Sequence, residues 1–434
     1  MNIVLLSGGS GKRLWPLSND IRSKQFIKIF KTENGYESMV QRIYRQIKKV
    51  DPDATVTIAT SKSQVSAIHN QLGEEVGISV EPCRRDTFAA IALATAYLHD
   101  VKGLDENEAV VVCPVDPYVE EGYFRCLEEM CKAAAEGKEN LVLMGIEPTY
   151  PSEKYGYIKP NKDGKGFTFT EKPTKEKAEE YIAEGALWNG GVFAYQLKYV
   201  LEKSRELLGT VSYSELFNSY ASLRKISFDY AVVEQETSIE VLRYSGTWKD
   251  LGTWNTLSES MEEKVIGDAV LNETCENVHV INELGVPVLG MGLKNIVISA
   301  SPEGILVSDK EQSSYIKPFV DAIDQQVMFA EKSWGSYRVL DVEEQSMTVK
   351  VTLNPGHLMN YHSHDRRDEV WTVIAGAGKT IVDGMEQPVQ VGDVITMAAG
   401  CKHTIIAGES GLQLVEVQLG QDISVADKHK YEMP

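Results

Sequence analysis

A chain of 434 residues is too long for one ordinary hydrophobic core and divides into two or three domains. Its 63 Asp and Glu against 44 Lys and Arg leave a net charge of -19, which argues against nucleic acid or an anionic membrane as partner, so any polyanion must meet a local basic pocket. No apolar run reaches the ~18 residues of a membrane span, no apolar signal core opens the chain, and the six cysteines lack ligand-like pairing, all of which reads as a cytoplasmic protein with free thiols.

The apolar run from Ile3 to Leu6 reads as a buried strand that stops in a glycine-rich loop, Ser7-Gly8-Gly9-Ser10-Gly11-Lys12-Arg13-Leu14-Trp15-Pro16, with Lys24 and Gln25 soon after. Gly8, Gly9 and Gly11 let backbone N–H groups approach an anion, while Lys12, Arg13 and Lys24 supply charge for a polyphosphate. Two commoner phosphate loops are excluded. A P-loop needs Ser or Thr where Arg13 stands, and a dinucleotide fingerprint needs glycine where Leu14 stands. To about residue 260, strand-like runs at 2–6, 54–59, 109–114 and 141–145 alternate with helical candidates such as 38–49 and 87–99. That alternation predicts an α/β domain with a largely parallel sheet and ligands beyond the carboxyl ends of its strands.

Chemistry-bearing residues fall at such ends. Glu81-Pro82-Cys83-Arg84-Arg85-Asp86-Thr87 opens a helix, with Asp86 or Thr87 available as cap. The buried run from Ala109 ends in Asp116, an oxygen ligand of the kind Mg²⁺ takes beside phosphates. A second such carboxylate, Asp250, stands in Trp248-Lys249-Asp250-Leu251-Gly252-Thr253-Trp254.

Taken together, these stretches resemble the sugar-phosphate nucleotidylyltransferases, and Gly-Gly-Ser-Gly-x-Arg-Leu-Trp-Pro-Leu-Ser, residues 8–18, is similar to the version in the mannose-1-phosphate guanylyltransferase family. The resemblance implies a Rossmann-like nucleotidyltransferase domain. It places the nucleotide against Gly8, Gly9, Ser10, Gly11, Lys12, Arg85, Asp86 and Thr87. It gives catalytic roles to Arg13, Lys24, Asp116 and Asp250, the two carboxylates sharing one Mg²⁺. Tyr155-Gly156-Tyr157, Phe169-Thr170-Glu171-Lys172-Pro173 and Leu187-Trp188-Asn189-Gly190-Gly191 follow the family's order for the sugar phosphate. Tyr155, Gly156, Glu171, Lys172, Asn189 and Gly191 would line that half, with Gly156 letting a backbone amide reach a hydroxyl, Glu171 and Asn189 bonding hydroxyls and Lys172 facing the phosphate. The implied substrates are GTP and mannose 1-phosphate. Asp86 stands where the family has Asn and can only accept hydrogen bonds, which leaves the base open. Two alternatives remain: the same chemistry on another sugar or nucleotide, and a non-catalytic sugar-nucleotide sensor. Ser227-Phe228-Asp229-Tyr230-Ala231-Val232-Val233-Glu234 also resembles a family motif, but a capped amphipathic helix explains it equally well and it stays outside the site.

From about 265 to 320, short β-rich runs and glycines without clustered charge read as a small connector, open to a β-helical arrangement. Five of the eight histidines follow Trp334-Gly335. Gly356, His362-x-His364, Glu369 and Gly376, then Gly392, Gly400 and His403, agree with both halves of the cupin pattern. Barrel strands can aim His362, His364, Glu369 and His403 at one Zn²⁺, Co²⁺ or Mn²⁺. This part resembles the mannose-6-phosphate isomerase domain fused to bacterial guanylyltransferases, which implies fructose 6-phosphate or mannose 6-phosphate as a second substrate. The family's tail arginine is missing. A phosphate clamp would have to come from Arg366, Arg367, Lys402, Lys428 or Lys430, so isomerase activity is expected to be weak or absent. The predicted division is 1–262 nucleotidyltransferase, 263–325 β-rich connector and 326–434 β-barrel cupin, with homo-oligomerisation left open.

Overall fold

The computed structural model describes residues 1–9, 11–161, 166–421, 423–424 and 426–434. Its chain forms two compact units: Met1–Gly9, Lys24–Val65 and Leu72–Glu262 in the first, and Ser10–Ser23, Ser66–Gln71 and Glu263–Pro434 in the second. No helix among the described residues is long and apolar enough to cross a membrane.

The first unit is built on a nine-stranded sheet. Four strands, Gly77–Glu81, Thr55–Ser61, Asn2–Ser7 and Ala109–Pro114, lie in that order and run parallel. The chain winds outward from Asn2–Ser7 to Gly77–Glu81 and then returns to the other side of its starting strand. Such a reversal falls between Asn2–Ser7 and Ala109–Pro114, and beyond the carboxyl ends of strands at such a point is where α/β sheets bind their ligands. The helix Met39–Val50 starts on a capping box between Ser38 and Gln41 and buries Met39, Val40, Ile43 and Ile47 along one face.

Two sequence expectations change here. The sheet is mixed, because Leu187–Gln196 runs antiparallel to Ala109–Pro114 and to Gly156–Pro160. A register break between Asn189 and Phe193 lets this one strand serve three neighbours. Gly190 fits that break because a Cβ there would lie 2.6 Å from Ile146. The second change concerns the helix Asp86–Asp100, which starts with Arg85 at its cap position and no side-chain capping bond. Asp86 itself adopts φ 69° and accepts the Thr87 N–H at 2.9 Å, while Thr87 Oγ1 accepts from the Phe228 N–H at 2.8 Å. Asp, like Asn, tolerates that left-handed backbone better than most residues.

In the second unit, Val265–Ile266, His279–Asn282 and Ile296–Ser301 lie side by side in parallel, and Ala269–Leu271 pairs in parallel with Val288–Gly290. Two parallel ladders advancing together are successive turns of a short β-helix. The C-terminal strands form a nine-stranded antiparallel sheet around a core that includes Val351, Leu353, Trp371, Val373, Met397, Ile405 and Leu414, the expected cupin.

Individual charged groups of the connector are tied into structural bonds. Arg22 holds Glu283 through two bonds of 2.8 Å, and Glu303 Oε1 accepts from Asn19 at 2.7 Å and from the N–H groups of Met328 and Phe329 at 3.0 Å. These partners lie far apart in the chain, so no spacing rule reveals them. Lys310 donates to Asn277 Oδ1 at 2.6 Å and meets His279 Nδ1 at 2.8 Å, with the Lys310 and His279 side chains both buried. Burial, then Lys310 and Lys264, push the His279 imidazole down to about 4. Between that value and the ordinary 6.5 the unfolded chain binds a proton that the folded chain refuses, so stability rises with pH across this window. Lowering the pH from 7 to 5 should cost at most about 2 kcal/mol through this group, less whatever solvent screening removes. The thermal midpoint of wild type should therefore drop further than that of His279→Asn, and equal drops would remove His279 from the account.

Candidate active site and metal centre

The parallel register sets Leu6 beside Pro114, so the glycine loop and Asp116 leave the sheet from adjacent strands. Trp248–Asp250 then pairs antiparallel with Pro117–Val119, bringing Asp250 opposite Pro117. Gly252 matters locally, since even a methyl group there would come 3.1 Å from Asp250 Oδ1. Between the two carboxylates lies the Lys24 ammonium, 2.5 Å from Asp116 Oδ2 and 3.7 Å from Asp250 Oδ1. Burial works against this ammonium, but the charges of Asp116 and then Asp250 outweigh it and raise its pKa. Two carboxylates close enough to share one cation also offer the oxygen ligands that a hard divalent ion takes.

Lys24 is held from below. The buried Gln25 amide donates to Ser7 Oγ at 2.9 Å and to Gln64 Oε1 at 3.2 Å, and Thr60 Oγ1 donates to the same Gln64 oxygen at 2.8 Å. This polar network ties the end of the first strand to the residue after the lysine, and it was not legible as such, since Gln25 was quoted only beside Lys24 and Gln64 belongs to no motif.

Gly8 and Gly9 are exposed, with open space where a side chain would be, and Gly9 and Gly11 have φ of 98° and 62°. Ser10 lies outside the described residues. Lys12 pairs with Asp321 at 3.1 Å, and Arg13 is exposed. The Arg85 guanidinium turns to the carbonyls of Tyr220 and Ala221.

The predicted sugar-phosphate residues converge. Gly156 pairs with Glu171 on one side and Asn189 on the other, and together they line a small open cleft with Asp229 and Glu234. Gly156 has a further reason beside the expected one: a Cβ there would sit 2.5 Å from Glu171 Oε2, so glycine makes room for a carboxylate. Asn189 is fixed at both ends, accepting from the Gly191 N–H at 3.1 Å and donating to Asp229 Oδ1 at 2.6 Å. Burial raises the Asp229 carboxyl pKa, against the pull of the Asn189 amide. Lys172 is exposed and stands 3.0 Å from Glu171. Tyr155 packs edge-on against Trp188 at 5.0 Å and Trp248 at 5.1 Å, joining the cleft to the strand that carries Asp250. Asp229 and Glu234 belong here although the sequence reading left them out. Their signal was the motif at 227–234.

In the cupin, His362, His364, Glu369 and His403 are buried, and their ligand atoms all lie within 4.8 Å of one another. Each imidazole turns Nδ1 to a backbone carbonyl, that of Asn360, Asp427 or Cys401. A carbonyl only accepts, so Nδ1 carries the proton and Nε2 presents a lone pair. The Nε2 atoms of His364 and His403 face Glu369 Oε1 and Oε2 at 3.0 and 3.2 Å. Atoms that close must share a proton or a cation, and among the described residues the buried His403 Nε2 has no hydrogen-bond partner of its own. The donor set fits a divalent transition metal. Arg367, quoted from sequence only as a phosphate cation, contacts the same cluster.

Residues 2–265 match the family model described as nucleotidyl transferase, and residues 322–432 match the one described as mannose-6-phosphate isomerase C-terminal. The chain is similar to a mannose-1-phosphate guanylyltransferase of Salmonella montevideo, 27% identical over 99% of this chain and 98% of that protein. It is also similar to the xanthan biosynthesis protein XanB of Xanthomonas campestris pv. campestris strain B100, 28% identical over 99% of this chain and 97% of that protein. Among solved structures it resembles a mannose-1-phosphate geranyltransferase from Thermus thermophilus, at 30% identity and a TM-score of 0.62, covering 74% of this chain and 98% of that one.

Proposed function

The chain belongs to the nucleotidyl transferase family, and on that premise we propose that it transfers a guanylyl group from GTP to mannose 1-phosphate, releasing pyrophosphate and forming GDP-mannose. The observation that carries this reading is the Lys24 ammonium bridging Asp116 and Asp250 at the reversal point of the sheet. The choice of base and sugar is supported by the whole-length likeness to proteins named mannose-1-phosphate guanylyltransferase.

The attacking sugar phosphate is already an anion, so no general base is needed, and positioning and charge neutralisation supply the catalysis. Lys24 bonds the oxygens of the reacting phosphate as negative charge shifts toward the leaving pyrophosphate. Arg13 is given the pyrophosphate on the strength of its motif. Asp116 and Asp250 would hold Mg²⁺, which when bound neutralises phosphate charge. Glu171 and the doubly tethered Asn189 bind sugar hydroxyls, and Lys172 meets the sugar phosphate. Asp229 acts through Asn189, so Asp229→Ala should raise the KM for mannose 1-phosphate about tenfold or more while leaving that for GTP nearly unchanged. Steady-state kinetics with each substrate varied decides this, and equal changes in both constants would place Asp229 outside sugar recognition.

For the C-terminal domain we propose one divalent transition metal on His362, His364, Glu369 and His403. Of the cations named for a 6-phosphate, Lys402 lies over the Tyr431 ring at 4.3 Å, Arg367 is bonded to Glu369 at 3.1 Å, and the half-buried Lys428 is held by the charges of Glu416 and Glu369. The metal-loaded full chain is therefore expected to convert fructose 6-phosphate to mannose 6-phosphate far below ~10 s⁻¹, an ordinary enzyme rate. Turnover at that rate would refute the expectation.

Pyrophosphate release that requires both mannose 1-phosphate and Mg²⁺ tests the main reading. Nucleotide binding with no release under any condition would favour the sensor instead.

A further inference from the structure

We propose that Arg367 is a resident cation of the C-terminal metal centre, occupying two of its donor atoms and setting how tightly the site takes a divalent ion. This rests on reading the cluster as a metal centre and is independent of nucleotidyl transfer. The Arg367 side chain is only 7% exposed, so its charge is committed inside the domain. Its Nε donates to Glu369 Oε1 at 3.1 Å, and its Nη2 stands 3.1 Å from His364 Nε2. Its Nη1 donates to the Ser424 carbonyl at 3.0 Å and lies 3.9 Å from Asp427 Oδ2, which anchors the far side of the fork.

The His364 contact is decisive. With Nδ1 donating to the Asp427 carbonyl, Nε2 has a single lone pair, and that lone pair cannot serve a guanidinium and a metal at once. The guanidinium also neutralises the one carboxylate of the four-residue set, so an arriving divalent ion meets a positive charge already in place. Arginine cannot give up its proton to make way. A metal that takes all four donors must therefore push Arg367 away from His364 and Glu369. With Arg367 in place, the donors left to a metal are His362 Nε2, His403 Nε2 and Glu369 Oε2.

The test measures Zn²⁺ and Co²⁺ binding to the full chain by competition with a chelating dye, with the Co²⁺ visible spectrum reporting coordination. Arg367→Met should bind either ion about tenfold tighter or more, because a charge-assisted contact no longer has to be broken. Arg367→Gln, which can still donate to the Ser424 carbonyl, covers the case in which the methionine variant does not fold, and should shift affinity in the same direction. Unchanged or weaker binding in the folded variant would overturn the resident-cation role while keeping the metal centre. Failure of wild type and variant alike to bind either ion would overturn both.

Discussion

Asp116→Ala and Asp250→Ala are each expected to lower turnover by about three orders of magnitude or more, with the fold intact. Both carboxylates are partly exposed, at 33% and 45%, and neither supports a core. What each removal takes away is half of the cation site at the reversal point, where charge on the reacting phosphate must be met. The loss should appear in kcat at saturating Mg²⁺ as well as in kcat/KM, the signature of an interaction used in the transition state. A variant that keeps more than about a tenth of wild-type turnover has lost less than ~1.4 kcal/mol, and its residue would not be a principal ligand.

Lys24→Ala should be the next most damaging change, lowering kcat by about a hundredfold to a thousandfold. Its ammonium is 15% exposed and is the cation that the protein itself supplies between Asp116 and Asp250. Without it the two carboxylates face each other uncompensated until a metal arrives, and the reacting phosphate loses a positioned donor. The KM for GTP should rise less than kcat falls, because the contact strengthens as the bond breaks. Kinetics at saturating Mg²⁺ decide the matter. A decrease of less than about tenfold would make Lys24 a structural counter-ion only.

The parts of this site that were legible in the sequence are those written in adjacent residues. A strand running into Gly8-Gly9, a strand running into Asp116 and the Asp-x-Gly turn at Asp250 each carry their geometry locally, and the two-part cupin spacing was what grouped His362, His364, Glu369 and His403. What stayed hidden depends on contacts between distant segments or on the reach of long side chains. Asp229 could not be separated from a helix-start residue until Asn189 was seen to donate to it. Leu187–Gln196 serves three neighbours through a register break between Asn189 and Phe193 that leaves no trace in hydrophobic alternation. Arg85 carried a motif, but motifs do not reveal that a guanidinium will turn to nearby carbonyls. Arg367 was visible as a charge, not as a group reaching back onto His364.

The most direct test of the central claim offers the purified full chain each of ATP, CTP, GTP and UTP with mannose 1-phosphate or glucose 1-phosphate, in the presence of Mg²⁺, and follows both pyrophosphate release and the mass of the sugar nucleotide. The account predicts that GTP with mannose 1-phosphate gives the highest kcat/KM, by about tenfold or more over every other pair, with GDP-mannose as product. A higher kcat/KM for any other pair would contradict it.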